Sequence, residues 1–362
     1  MIVTYIYSNC PQDQIKVQLR CRNFVDAINR TGSHSANLLD IDSFIENSAE
    51  AQKLCAGSDI IVIYRYLFGP ILKIIQYWKA RDKKVIVDFD QAINYLTPEH
   101  PGHSFWMQGV PPENCFIGNK FLENPIDPIP LEQFKWGLGM VDAATVSSAR
   151  LADDWAQLTT IYEIPNYLNT YQYPALNQAK ENEVWIGLGN SAPYASFKKS
   201  GLLAAMENVC RKRPQVRLIL CGLEKGLGKE LDIHPDQIKI YPLHLFEEWV
   251  NILLKLDIGL APGIGDFDLR LSSIDLLEFM ISKIPWVASD QLASHKLLQY
   301  GRWVPNSPEA WENAILGIVD QLDVSQKKAS REPFLYALSQ DVSVNIDKVL
   351  KVYTSIISQT YG

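Results

Sequence analysis

Apolar residues follow two rhythms along this chain. Short unbroken runs, such as IVTYIY at 2–7 and DIIVIY at 59–64, alternate with stretches in which apolar positions recur every three or four residues, as at Val17, Cys21, Phe24, Val25 and Ile28. The first rhythm is that of a strand buried on both faces, and the second that of a helix with one apolar face. Together they predict strands at 2–7, 36–41, 59–64 and 84–89, helices at 15–29 and 71–80, and a helix-to-strand junction over 138–147. A second series has strands at 184–188, 216–221, 238–243, 257–261 and 286–288, with helices at 202–210 and 246–255. Helices at 311–321 and 342–360 follow, the last from Val344, Ile346, Val349, Leu350, Tyr353 and Ile357. Strands alternating with helices imply parallel sheets covered on both faces, a doubly wound α/β fold. Two such series in 362 residues predict two domains.

The most structured signal lies at 255–290, which reads as strand, loop, helix, strand. Its loop carries Gly263, Gly265, Asp266 and Arg270 and ends at Ser272 and Ser273, whose hydroxyls suit a helix start. Ser272 with Asp275 makes a weak capping box. In the helix, Ile274, Leu277 and Ile281 share one face while Asp275, Glu278 and Ser282 share another, so Glu278 is expected on the polar side. Lys283 and Pro285 close the helix. Polar loops at the carboxyl ends of parallel strands are where such sheets bind ligands. The same applies to Gly187 and Gly189, where a backbone without side chains lets a phosphate or sugar approach closely. Lys198 and Lys199 follow, before the next helix.

Residues 88–135 break the rhythm with a loop too long for a simple connection. Asp88 and Asp90 stand at a strand's carboxyl end, and His100 and His103 follow. The His-x-x-His spacing invites a metal reading but lacks a third ligand. Acceptor binding or general acid–base work, and plain loop capping, are the other readings of these groups. Further on, Pro165 and Asn166 suit a turn between domains.

Composition narrows the classes. Apolar content of 47% and charged content of 21% describe an ordinary globular chain, and a net charge of −7 argues against a nucleic-acid partner. The six cysteines form no C-x-x-C pair and are expected to be reduced and buried. The start of the chain reads as a strand rather than a signal peptide, and no run reaches the roughly 20 apolar residues of a membrane span, so a cytoplasmic location is expected. Lys79, Arg81, Lys83 and Lys84 suit either a solvated helix end or peripheral contact with an anionic membrane. No repeat or low-complexity tract appears.

The glycine-containing loop, the serine-capped helix with Glu278 in its second turn, and the connection into IPWVASD resemble the donor-sugar loop of retaining glycosyltransferases of family four (group 1). The resemblance covers 138–321, including VDAATVSS and IYEIPNYLNTYQY, and extends to the first 137 residues through architecture alone. It implies a GT-B, twin-Rossmann fold facing a cleft, with an acceptor-side domain at 1–165, a donor domain at 166–335 and a last helix, 336–362, returning to the first domain. It also implies sugar transfer from a nucleoside diphosphate sugar to a carbohydrate, lipid or protein acceptor, with retention, no further cofactor and no metal. In the family an acidic residue stands eight positions before the helix glutamate, and a lysine in the first turn; here these positions hold Arg270 and Asp275. Glu278 is expected to hold the ribose, with Gly187, Gly189, Lys198, Lys199, Ser272 and Ser273 around the donor, and Asp88, Asp90, His103 and Arg270 in catalysis. The departures, and a first strand followed by Ser8, Asn9, Cys10 and Pro11 rather than glycines, motivate the alternative of a non-catalytic binding or scaffold protein of the same fold. A further alternative is another twin-Rossmann enzyme, such as an epimerase.

Overall fold

A computed structural model describes residues 1–111, 125–173, 183–189, 194–222, 231–241 and 245–359. The chain divides into two compact units. One holds Met1–Tyr167, Arg270–Ser272 and Val342–Gly362, and the other Leu168–Leu269 and Ser273–Asp341.

The first unit is built on β1 (Ile2–Tyr7), β2 (Ser35–Asp40), β3 (Ile60–Tyr64), β4 (Lys84–Phe89), β5 (Ala143–Val146) and β6 (Ile161–Glu163), paired in the order β2-β1-β3-β4-β5-β6. Every pairing is parallel. Helices cover both faces of a parallel sheet, so its central strands lose all contact with water, and each residue of β3 is buried. The final helix, Val342–Ser358, packs on helix Asn23–Arg30. There Ile346, Val349 and Leu350 join Phe24, Val25 and Ile28 in one apolar cluster. Tyr353 sits in that core, and its hydroxyl meets the Tyr5 hydroxyl at 2.7 Å.

The second unit repeats the plan. It contains β7 (Val184–Leu188), β8 (Val216–Cys221), β9 (Ile238–Tyr241), β10 (Ile258–Ala261), β11 (Trp286–Ser289) and β12 (Arg302–Val304), in the order β12-β11-β10-β7-β8-β9 and again all parallel. Its core joins Leu202, Ala205, Met206 and Val209 of helix Leu202–Lys212 to Trp311, Ile315 and Ile318 of helix Pro308–Val319. Two parallel six-stranded sheets with flanking helices are the doubly wound α/β fold that the alternating pattern predicts.

Several local readings change. The strand expected to reach 41 stops at Asp40, whose carboxylate accepts the Ser43 amide and starts the short helix Ile41–Ile45. β6 and β12 have three residues each, too few to show a period. Of the strand expected at 238–243, the structure describes Ile238–Tyr241, and the rest lies outside the described residues. The long loop contains helices His103–Gln108 and Pro130–Met140, held by aromatic packing such as the parallel stack of Tyr66 on Trp106 at 5.9 Å. Ser273 is the N-terminal flanking residue of helix Ile274–Ile281 but makes no side-chain cap, and the Ser272 hydroxyl instead accepts from Asn166. Cys10 is disulfide-bonded, against the expectation of six reduced thiols, while Cys21, Cys55, Cys210 and Cys221 are free. Among the described residues no helix is long and apolar enough to cross a membrane.

Tyr353→Phe leaves the buried Tyr5 hydroxyl without its partner and is expected to cost about 1–3 kcal/mol. Tyr353→Ala also opens a cavity and is expected to cost about 3–5 kcal/mol. Urea unfolding of both variants checks this pair of values and their order.

Candidate functional site

In a doubly wound sheet the carboxyl ends of the strands carry the chemistry. In the first unit these ends hold two buried polar groups. The first centres on Asp88, the penultimate residue of β4, which is 2% exposed. Arg20 Nε donates to its Oδ1 at 2.8 Å and Arg20 Nη2 to its Oδ2 at 2.5 Å, while Thr145 Oγ1 donates to Oδ2 at 2.6 Å. Arg20 Nη1 donates onward to the Ile164 carbonyl and the Asn166 side chain. Gln18–Arg22 form a π-helical turn inside the helix that spans 14–30, and Arg20 projects from it. Asp88, expected in catalysis, thus has both carboxylate oxygens engaged, by an arginine fork and a threonine.

The second group surrounds Asp90. Tyr64 Oη donates to its Oδ1 at 3.0 Å and Arg65 Nη2 at 3.3 Å. Arg65 Nη1 donates to Asp13 Oδ1 at 2.6 Å, and Tyr66 Oη to Asp13 Oδ2 at 2.8 Å. Burial pushes the Asp90 carboxyl up, but Arg65, Lys16 and Arg20 outweigh it and hold it below its ordinary value. Arg65 has a left-handed backbone, φ 68°, which a side-chain-bearing residue adopts only at a cost, and such strain clusters at functional sites. Its Nε is buried with no hydrogen-bond partner among the described residues. His100 Nδ1 accepts the Gly102 amide at 3.0 Å, and burial with Arg65 and His103 nearby pushes its pKa down to about 4, so the ring is neutral at neutral pH. His103 begins helix His103–Gln108, half-buried. Asp13, Tyr64, Arg65 and Tyr66 were missed from sequence. The available signal was an arginine between two tyrosines directly after an unbroken apolar strand.

Arg270 also belongs to the first unit. Its guanidinium pairs with Asp154 through both Nε and Nη2, the latter at 2.9 Å, and lies 3.8 Å from the Tyr95 ring centre. Ser148 Oγ donates to its carbonyl at 2.7 Å. The expected diphosphate clamp is thus already closed on a carboxylate of the protein. The basic cluster is similarly engaged: Lys79, Lys83 and Lys84 donate to the carbonyls of Met140, Ser58 and Gln359, and Arg81 stacks on Tyr77.

In the second unit the glycines have packing reasons. A Cβ on Gly187 would come within 2.6 Å of the Leu256 side chain, and one on Gly189 within 2.4 Å of the Asp275 carboxylate. Asp275 therefore lies directly over the backbone at the end of β7, in the first turn of the helix. Lys198 and Lys199 end helix Tyr194–Lys199 and are exposed. The loop after β10 is pinned by a ring of hydrogen bonds: the Gly263 amide donates to Ser289 Oγ, Ser289 Oγ to Asn306 Oδ1, and Asn306 Nδ2 to the Gly263 carbonyl. Asp268 accepts from Ser196 Oγ at 2.5 Å and from the Ile264 amide at 2.7 Å, and burial raises its pKa.

Glu278 is not on a solvated face. Helix Ile274–Ile281 packs against both β10 and helix Glu332–Ser339, and Glu278 is 0% exposed while Asp275 and Ser282 on the same side are half-buried. Tyr173 Oη donates to its Oε1 and Trp249 Nε1 to its Oε2, each at 2.9 Å. Among the described residues no group of three or more His, Cys, Asp or Glu side chains is placed to hold a metal.

No protein-family model matches the chain, and no curated protein matches it in sequence. Solved structures do match in fold. Sucrose-phosphate synthase from Thermosynechococcus elongatus superposes with a TM-score of 0.67 at 13% identity, covering 99% of this chain and 100% of that one. The catalytic domain of starch synthase IV from Arabidopsis thaliana, bound to ADP and acarbose, gives 0.60 at 10% identity and 99% of each chain. A putative UDP-N-acetylglucosamine 2-epimerase from Listeria monocytogenes gives 0.54 at 12% identity, over 100% of this chain and 97% of that one. At such identities the likeness shows the fold, which is GT-B, twin-Rossmann.

Glu278→Ala leaves two buried donors unpaired and is expected to lower unfolding free energy by about 2–5 kcal/mol in urea titrations. Retention of wild-type stability would mean that Tyr173 and Trp249 find other partners. A pH series tests the His100 environment. The unfolded chain takes up this proton near the ordinary 6.5 and the folded chain only near 4, so stability falls as pH drops from 6.5 toward 4. Between about pH 7 and 4.5 the wild type should lose about 1–3 kcal/mol more than His100→Asn. Parallel losses in the two proteins would contradict the burial of a neutral ring.

Proposed function

We propose that the protein is a glycosyltransferase that moves a sugar from a nucleoside diphosphate sugar to an acceptor hydroxyl, with retention at the anomeric carbon. The whole-length fold match to two synthases carries the reading, since both units align with chains whose names denote sugar transfer and one of those chains binds ADP. The anomeric bond to the diphosphate oxygen breaks, the same carbon bonds to the acceptor oxygen, and the acceptor proton leaves. No cofactor beyond the nucleotide sugar and no metal is part of the proposal.

The second unit takes the donor. Glu278, oriented by Tyr173 and Trp249, is proposed for the ribose hydroxyls. With Arg270 paired to Asp154, the diphosphate charge falls to Lys198, Lys199 and the first amides of helix Ile274–Ile281. The first unit takes the acceptor, with Asp90, Arg65, His100 and His103 as its polar groups. The buried unpartnered Nε of Arg65 supports a polar ligand there, since such donors are costly when left unmade.

A non-catalytic binding protein of the same fold is the second reading, favoured by the Arg270–Asp154 pair and by the Asp275 carboxylate over Gly189, where neutralisation of a diphosphate would be expected. Release of nucleoside diphosphate from UDP-, GDP- and ADP-sugars, with and without EDTA, separates the two. Transfer predicts turnover of at least one donor that survives chelation. It also predicts that a Lys198→Ala, Lys199→Ala double variant binds the nucleotide roughly tenfold more weakly. Binding without release from any donor would establish the second reading.

A further inference from the structure

We propose that Asp268 recognises a hydroxyl of the donor's sugar and restricts that sugar to neutral hexoses, against those that carry a carboxylate. The inference rests on the donor reading above and adds the class of sugar to it. In the second sheet the chain runs from β7 outward through β8 and β9, then returns to place β10 on the other side of β7. An open parallel sheet takes its ligand at such a reversal, in the crevice outside the carboxyl ends of the two strands. Asp268 ends the short helix Gly265–Asp268 in the loop after β10, and Ser196, which donates to it, lies in helix Tyr194–Lys199 after β7. Their bond joins the two sides of the reversal, on the helix whose last residues are the lysines assigned to the diphosphate.

Only half of this carboxylate is used. Asp268 is 3% exposed, and its Oδ2 accepts from both Ser196 Oγ at 2.5 Å and the Ile264 amide at 2.7 Å. Its Oδ1 has no hydrogen-bond partner among the described residues, yet it is not sealed from solvent. The two bonds that Asp268 makes need one oxygen, and the oxygen of a neutral amide would serve for both. Local structure therefore accounts for Oδ2 and leaves Oδ1 and the charge unexplained. A buried carboxylate with an unmet oxygen is costly, and burial accordingly raises the Asp268 pKa against the pull of Ser196 and Ile264. A sugar hydroxyl supplies the missing donor through a charge-assisted bond. A sugar carboxylate in the same crevice supplies none and meets like charge, from Asp268 and from the Asp275 carboxylate over Gly189. Such repulsion is strong where water is partly excluded, so it selects against anionic sugars.

The test is calorimetric titration of the full chain with UDP, GDP and ADP, and with the glucose and glucuronate derivatives of each. Asp268→Asn is the variant, because its amide oxygen can keep both bonds of Oδ2 while an N–H donor replaces Oδ1. For whichever diphosphate binds, the wild type should hold the glucose derivative about tenfold or more tighter than the glucuronate. Asp268→Asn should weaken the glucose derivative about tenfold, leave the bare diphosphate within about twofold, and narrow the gap between the two sugars. Equal weakening of diphosphate and glucose derivative would reduce Asp268 to a support for the loop and overturn the inference. So would an unchanged glucose derivative, or a wild type that binds glucuronate as tightly as glucose, a comparison that needs no variant. Absence of binding by all three diphosphates is a different result, which removes the donor reading itself.

Discussion

The Arg20–Asp88 pair is the interaction around which the first unit is arranged. Both charges are almost wholly out of water, and a buried pair of this kind repays its desolvation only if every donor and acceptor is met. Here the fork engages both oxygens of Asp88, Thr145 supports one of them, and the remaining nitrogen reaches the backbone at Ile164 and the side chain of Asn166. One guanidinium thereby fixes a helix, two neighbouring strands and the segment that leaves the sheet. Breaking such a pair from one side leaves an uncompensated charge, which makes the arrangement all-or-none. Asp90, two residues beyond Asp88, is held against Arg65 by the same local geometry, because the Arg65 amide donates to the Asp88 carbonyl at 2.7 Å.

The second unit solves the same problem with neutral groups. Its loop after β10 is closed by the Gly263, Ser289 and Asn306 ring, which links the carboxyl ends of three adjacent strands without any charge. Buried carboxylates stand apart from this neutral ring: Asp268 meets a hydroxyl and an amide, and Glu278 a phenol and an indole, so each is held in one orientation.

Strand and helix order was legible because it depends on local period: an unbroken apolar run such as 60–64 has no alternative burial in a covered parallel sheet. Three-residue strands such as β6 and β12 are defined by their neighbours and carry no period of their own. The position of the two aspartates was legible but their partners were not. Asp88 and Asp90 stand at the carboxyl end of β4 as expected, yet Arg20, which pairs with Asp88, lies 68 positions away, and no spacing rule links them. The burial of Glu278 was hidden for a different reason. A helical wheel assigns its polar side to water, but this helix is sandwiched between a sheet and a second helix, and tertiary packing overrides the pattern.

The charges of the second unit limit how the proposed donor would bind. With a carboxylate at Asp275 over Gly189, the cations proposed there for the diphosphate are two exposed lysines at the end of a six-residue helix. Exposed charges act through high dielectric and are screened within about 8 Å at physiological salt. Their contribution to affinity is therefore small and salt-dependent, in contrast to a buried arginine fork. Under the proposed reading, a donor held this way would draw most of its binding from the nucleoside rather than from the phosphates.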